Sequence, residues 1–316
     1  MYKRQDQGRV NEYAKWVQTL DFVEIEDAEI DLAAYQAAEQ SYLANKPNQA
    51  ISRFESYLEQ FSNGQYALQA HYYLGQLYFS ENDSVKAIPH FTDVVEQERS
   101  EYSEQALLRL SELYLEKNEY QNALPYLKRL EIEADYPQNI IFAQTNSMKA
   151  YYELKQYGKA VVYAETVVKN AKVDDAIKND AQIIIARAAF QTGDENKAKD
   201  AYAIVSEKAT GKLAAEALYY DAYFKNKEEA WETSTKVIQK LAKEYSAYKY
   251  FGAKGLILMA KNFYALDDPY QANYILESVI KNFEEFTDVV EEAKAELTII
   301  KSTESKTNSS VESNNN

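Results

Sequence analysis

Apolar residues recur along most of this chain at intervals of three and four, and short polar clusters interrupt them. Residues 71–91, HYYLGQLYFSENDSVKAIPHF, show the pattern most clearly. Leu74-Gly75 and Tyr78 lie on one helical face, the polar run Glu81-Asn82-Asp83-Ser84 follows, and Ala87 and Phe91 open a second face. That spacing predicts two amphipathic helices joined by a tight turn. Small residues at Gly75 and Ala87 let the two helices cross closely, while Tyr78 and Phe91 fill the space between neighbouring hairpins. Asp83 or Ser84, each with a short polar side chain, is the expected N-cap of the second helix.

The same phrase recurs. Taking Ala87 as the residue that opens a second helix, its equivalents are Ala50, Ala123, Ala160, Ala198, Ala230 and Ala272, at spacings of 37, 36, 37, 38, 32 and 42 residues. The last two depart from the period, which predicts a shortened turn and a weak sixth hairpin built on Tyr219, Tyr220 and Tyr223. Four residues after each alanine stand Phe54, Phe91, Leu127, Tyr202 and Leu276, with Ala164 and Ser234 as departures. The small slot on the first helix holds Ala38, Gly75, Ser111, Ala186 and Ala260, and Met148 in the fourth hairpin. Pro47, Pro137 and Pro269 stand where a helix starts, the position that tolerates a missing N–H. Asp194 and Asp268 are further expected N-caps.

Leu74-Gly75-x-x-Tyr78 followed by Ala87-x-x-x-Phe91 resembles the tetratricopeptide (TPR) family, whose pattern reads L-G-x-x-Y and then A-x-x-x-F. The resemblance covers about residues 30–283. It implies an all-α, right-handed superhelical solenoid of antiparallel hairpins, with the first helices lining a concave surface that binds protein or peptide. Residues 35–61, YQAAEQSYLANKPNQAISRFESYLEQF, resemble bacterial envelope TPR proteins, the Tol–Pal-associated and outer-membrane assembly types, and residues 258–283 resemble the end of long TPR proteins of Gram-negative bacteria. This implies a scaffold that is periplasmic or outer-membrane-associated, with the cytoplasm as the alternative. The Lys/Asn and Lys/Arg clamp of chaperone-binding members is absent, since its frames hold Tyr35, Glu39, Tyr72, Gln76, Leu108 and Glu112.

Seven hairpins are expected over 31–283, a capping helix over 284–302 and a polar, disordered tail over 303–316. Residues 9–30 read as a remnant helix and an acidic linker, in which Asp27 or Asp31 caps the next helix. Met1-Tyr2-Lys3-Arg4-Gln5 resembles translated adaptor sequence, so 1–8 reads as a non-native scar and the chain as a C-terminal fragment of a longer one.

Composition narrows the function classes. Hydrophobic residues make up 46% of the 316, and 8 Gly and 5 Pro fit a nearly all-helical chain. A formal net charge of −15 lacks the basic footprint that nucleic acid or an anionic membrane surface requires. The absence of Cys removes thiolate chemistry, and no apolar run reaches the length of a membrane span. No catalytic, metal or phosphate motif stands out, so neither catalysis nor a cofactor is expected. His71 and His90 are read as structural, with His90 exposed.

A peptide groove is the remaining candidate. Eight residues before each alanine stand Tyr42, Phe79, Leu115, Tyr152, Phe190 and Tyr264. Eleven before stand Glu39, Gln76, Glu112, Lys149, Arg187 and Lys261, and Tyr72 joins them on the same helix as Gln76. This predicts an aromatic track, acidic or neutral at one end and basic at the other, suited to an extended peptide. The competing readings are that the aromatics only support packing, and that the array is the sensor region of a larger enzyme or transcription regulator.

Overall fold

The computed structural model describes residues 27–314, and fifteen α-helices account for nearly all of them, with no strand among the described residues. Two compact units divide the chain, Met1–Lys155 and Gln156–Asn316. The first holds α1 (Asp27–Leu43), α2 (Pro47–Gln60), α3 (Ala67–Ser80), α4 (Ser84–Glu96), α5 (Ser103–Glu116), α6 (Tyr120–Glu133) and α7 (Pro137–Glu153). The second holds α8 (Tyr157–Lys169), α9 (Asp175–Gln191), α10 (Glu195–Lys208), α11 (Gly211–Lys227), α12 (Trp231–Glu244), α13 (Lys249–Ala265), α14 (Pro269–Asn282) and α15 (Thr287–Asn314). The expected scar and remnant helix lie outside the described residues. Within each unit, successive helices pack as antiparallel hairpins, so the all-α hairpin array expected of the repeat is the fold.

The period is written most plainly in the turns. Each first helix ends on a residue with positive φ: Asn45 (52°), Asn82 (60°), Asn118 (56°), Lys155 (56°), Gly193 (78°), Glu229 (61°) and Asp267 (63°). These are spaced 37, 36, 37, 38, 36 and 38 residues apart. A left-handed residue turns the backbone so that the next two N–H groups reach back to otherwise unsatisfied carbonyls. In the second hairpin Asn82 N–H donates to Phe79 O at 3.0 Å and Asp83 N–H to Tyr78 O at 2.9 Å. Equivalent bonds close the sixth, where Glu229 N–H meets Asn226 O at 3.0 Å and Ala230 N–H meets Lys225 O at 2.9 Å.

This corrects the register of the sixth hairpin. Ala230 is the N-cap of α12, not its opening small residue; Ser234, fully buried, occupies that place. The spacings around it become 36 and 38, the turn is not shortened, and the bulky residue four further on is the buried Ile238. A serine is accommodated because its hydroxyl is satisfied: Oγ donates to Ala222 O at 2.8 Å and accepts from Asn262 Nδ2 at 2.9 Å. A small residue standing one turn early had displaced the count.

Other expectations shift by a residue or a role. Of the two expected caps of α4 it is Asp83 that serves, accepting from Lys86 N–H, and Asp194 and Asp268 cap α10 and α14 as expected. Asp31 is no cap. It lies inside α1, buried, and accepts from Tyr57 Oη at 2.5 Å and Gln65 N–H at 2.8 Å. Pro47, Pro137 and Pro269 do open their helices. In α15, Val289, Ala293 and Ile300 are fully buried. The helix starts at Thr287 and runs on to Asn314, through residues expected to be disordered; no Gly or Pro in that stretch stops it.

Packing follows the slots. Phe54, Phe91 and Leu127, each four residues into its hairpin's second helix from the opening alanine, are fully buried in the first unit's core. Gly75 is small because of Phe91 rather than Ala87: a Cβ there would lie 2.7 Å from Phe91 Cε1.

Candidate peptide-binding surface

Three first helices of the first unit, α1, α3 and α5, carry the expected groove residues at intervals of three and four, which places them on one helical face. Tyr42 and Tyr73 bring ring centroids within 4.6 Å, Tyr72 and Tyr102 within 4.7 Å, and Tyr72 and Tyr73 within 5.6 Å. Gln76 Nε2 donates to Tyr72 Oη at 3.0 Å. The Arg109 guanidinium sits 4.4 Å above the Phe79 ring, and its Nη1 donates to Glu112 at 2.7 Å. Tyr42, Tyr72, Gln76, Phe79 and Glu112 are therefore drawn into one patch, tied together by Tyr73, Tyr102 and Arg109. All are half-buried. Leu115, on α5, packs half-buried against the first unit's core. Lys149 is exposed and Tyr152 half-buried, both on α7.

Burial sets the electrostatics of the patch. It raises the Tyr72 hydroxyl above the ordinary tyrosine range, against a lowering contribution from Gln76 and Arg109. Burial, then Tyr73 and Glu101, push Tyr102 up to about 12. These hydroxyls stay protonated at neutral pH and can donate. Arg109 Nε is buried with no hydrogen-bond partner.

The second unit uses the same slots differently. Arg187 Nε and Nη2 each donate at 2.7 Å to the carboxylate of Glu216, which is only 5% exposed, and Tyr202 Oη donates to the same group at 3.0 Å. Phe190 meets Tyr220 at 4.7 Å and Tyr223 at 5.3 Å, edge to face. Lys261 pairs with Glu296 at 3.1 Å, and Tyr264 is half-buried against the core of α13–α15. Arg187 and Phe190 are thus engaged by α11, and Lys261 by α15. The expected basic end is corrected accordingly: two of its cations are neutralised by carboxylates, and in the repaired register the sixth hairpin contributes Asn226 and Tyr223 rather than an apolar residue and a cation.

Counting eight and eleven back missed Tyr73, Arg109 and Tyr220. All three stand fourteen residues before the buried residue that opens their second helix. That column lies on the same face, and reading it alongside the other two would have found them.

Among solved structures, a tetratricopeptide repeat protein from Parabacteroides merdae is 15% identical over 84% of this chain and 98% of its own, with a TM-score of 0.41. A Pyrococcus horikoshii signal-transduction ATPase with a tetratricopeptide repeat sensor is 15% identical, over 85% of this chain and 45% of that one, with a TM-score of 0.49. Pseudomonas aeruginosa pilF is 16% identical over 71% and 97%, with a TM-score of 0.41. Each likeness is too slight to carry weight. No curated protein matches the chain. Residues 17–139, which take in the first three hairpins and the whole tyrosine patch, match the family model described as a tetratricopeptide repeat-like domain.

Proposed function

We propose that the chain is a non-catalytic scaffold that holds an extended protein segment across the patch on α1, α3 and α5. The observation that carries this is the linked set of half-buried rings, Tyr42, Tyr73, Tyr72 and Tyr102, beside the Arg109–Phe79 stack. Tyrosine offers a large contact area with few rotamers to freeze and a hydroxyl for a partner's backbone. Gln76 and the hydroxyls suit main-chain groups of an extended peptide, the rings suit its apolar side chains, and Arg109 suits a carboxylate. Lys149 and Tyr152 are further candidates, and Arg187, Phe190, Lys261 and Tyr264 are the corresponding positions of the second unit.

Selection from a random peptide library tests the reading. Enriched peptides should carry aromatic or aliphatic side chains with an acid, and Tyr72→Ala or Arg109→Ala should weaken them at least about tenfold. No enrichment, or affinity untouched by both changes, overturns it.

For its place in the cell we assign the bacterial envelope, periplasmic or outer-membrane-associated, on the resemblance of residues 35–61. No helix among the described residues is long and apolar enough to cross a membrane. Fractionation of cells carrying the native gene tests this; recovery in the cytoplasm alone overturns it.

A further inference from the structure

The second hairpin carries three side chains that the repeat does not ask for. His71 on α3 stands sixteen residues before Ala87, and His90 and Asp93 on α4 stand three and six after it. At those positions the other six hairpins place no His, Cys, Asp or Glu. Six copies of one frame thus show that packing is served without this trio. It is not needed for the fold.

The three side chains converge. His71 Nδ1 lies 3.0 Å from His90 Nδ1 and 3.1 Å from Asp93 Oδ2, and the three ligand atoms all fall within 4.8 Å of one another. Two imidazole nitrogens and a carboxylate oxygen on neighbouring helices are a borderline-metal donor set. Around a zinc-type ion, with bonds of about 2.0–2.2 Å in a tetrahedral array, two donors stand about 3.4 Å apart. The two separations from His71 need to open by only a few tenths of an ångström, and the third, which lies within 4.8 Å, falls in a range that a rotation of the Asp93 side chain can adjust. The rings are held: Tyr78 stacks parallel on His90, with centroids 5.8 Å apart and planes at 4°, and is itself tied by its hydroxyl to Glu55 at 2.5 Å. His71 and Asp93 also line a cleft of about 690 Å³, whose other wall is the loop Ser62–Gln65.

We propose that His71 Nδ1, His90 Nδ1 and Asp93 Oδ2 form a site for one divalent transition-metal ion of the zinc type, its fourth position open to this cleft. The ion would pin α3 to α4 and leave a coordination position for water or a partner's donor.

The test uses the full chain, stripped with a chelator and titrated at pH 7.5 with Zn²⁺ alone against a competing chromophoric chelator. One equivalent should bind above the weak background of surface carboxylates. His90→Gln and Asp93→Asn should each weaken it at least about tenfold, the smallest loss to expect when even an outer-shell partner costs about 10–100-fold. Co²⁺ should give the visible bands of a four-coordinate site in wild type and not in His71→Gln, and Zn²⁺ should raise the Tm of wild type alone. Asp93 is half exposed, so its variant keeps the fold, which circular dichroism checks. Binding equal in wild type and Asp93→Asn, or no binding above that of His71→Gln/His90→Gln/Asp93→Asn, overturns the site and leaves a hydrogen-bonded histidine pair.

Discussion

Gln76 and Phe79 on α3 occupy the same two places in the repeat as Arg187 and Phe190 on α9. On α3 the pair stays at the surface: Gln76 bonds a tyrosine hydroxyl, and Phe79 lies under a guanidinium that is itself 27% exposed. On α9 the cation is spent on Glu216, and Phe190 is wedged among Tyr220, Tyr223 and Phe224. One frame thus supports two uses. A place in the repeat fixes where a side chain emerges; the next hairpin decides whether it is available to a partner.

The comparison breaks most visibly at the two arginines. Arg187→Met removes the partner of a carboxylate that is nearly inaccessible and leaves it with Tyr202 alone. We expect a loss of about 3 kcal/mol, the lower end for a broken buried pair because Arg187 itself is 38% exposed. Arg109→Met separates an ion pair within one helix whose two members are each about a third exposed, and should cost less than about 1 kcal/mol. Urea unfolding of both variants reads the difference. Equal losses would mean that the surface arginine and the one engaged by the next hairpin are held alike.

Glycine separates the units next. The small slot of α3 is Gly75, and the corresponding residue of α9 is Ala186, fully buried. A methyl at Gly75 would meet three carbons of the Phe91 ring at 2.7–3.0 Å, and Phe91 is fully buried with nowhere to move. Gly75→Ala should therefore cost about 2 kcal/mol despite its better helix propensity, the scale of an overpacked core. Trimming the obstacle in Gly75→Ala/Phe91→Leu should return part of that loss, as a thermal unfolding series will show. A neutral single change would remove Phe91 as the reason for the glycine.

These cases mark where the sequence was legible. Period, helix type and the opening of every hairpin but the sixth were readable because they follow from local spacing and from alanines that must be buried. The sixth hairpin misled because Ala230, an N-cap, imitates Ser234, and a serine gives no sign of the hydroxyl network with Asn262 that lets it be buried. The surface was half legible. Helical offsets put Tyr42, Tyr72, Gln76, Phe79 and Glu112 on one face, but the neutralisation of Arg187 depends on Glu216, twenty-nine residues on and in the next hairpin. Nor does any local pattern announce His71 facing His90, since the two come from different helices and only the closed hairpin brings them together.

The finest distinction lies in the turns. Three of the first unit's hairpins bend on Asn45, Asn82 and Asn118, whereas the second unit bends on Gly193, Glu229 and Asp267. All hold a left-handed backbone, which costs an ordinary L-residue about 1–2 kcal/mol; asparagine tolerates it and glycine feels no such penalty. Within the second unit Glu229 is the misfit, with φ of 61° and an exposed side chain. Glycine there relieves the strain but adds freedom to the unfolded chain, worth about 0.5–1 kcal/mol in the other direction. Glu229→Gly should therefore still stabilise, by about 0.5 kcal/mol, whereas Asn82→Gly should change stability by less. Paired urea titrations decide it: if Asn82→Gly gains as much as Glu229→Gly, the residue type at the turn is not what distinguishes the two units' hairpins, and the difference must lie in the helices that each turn joins.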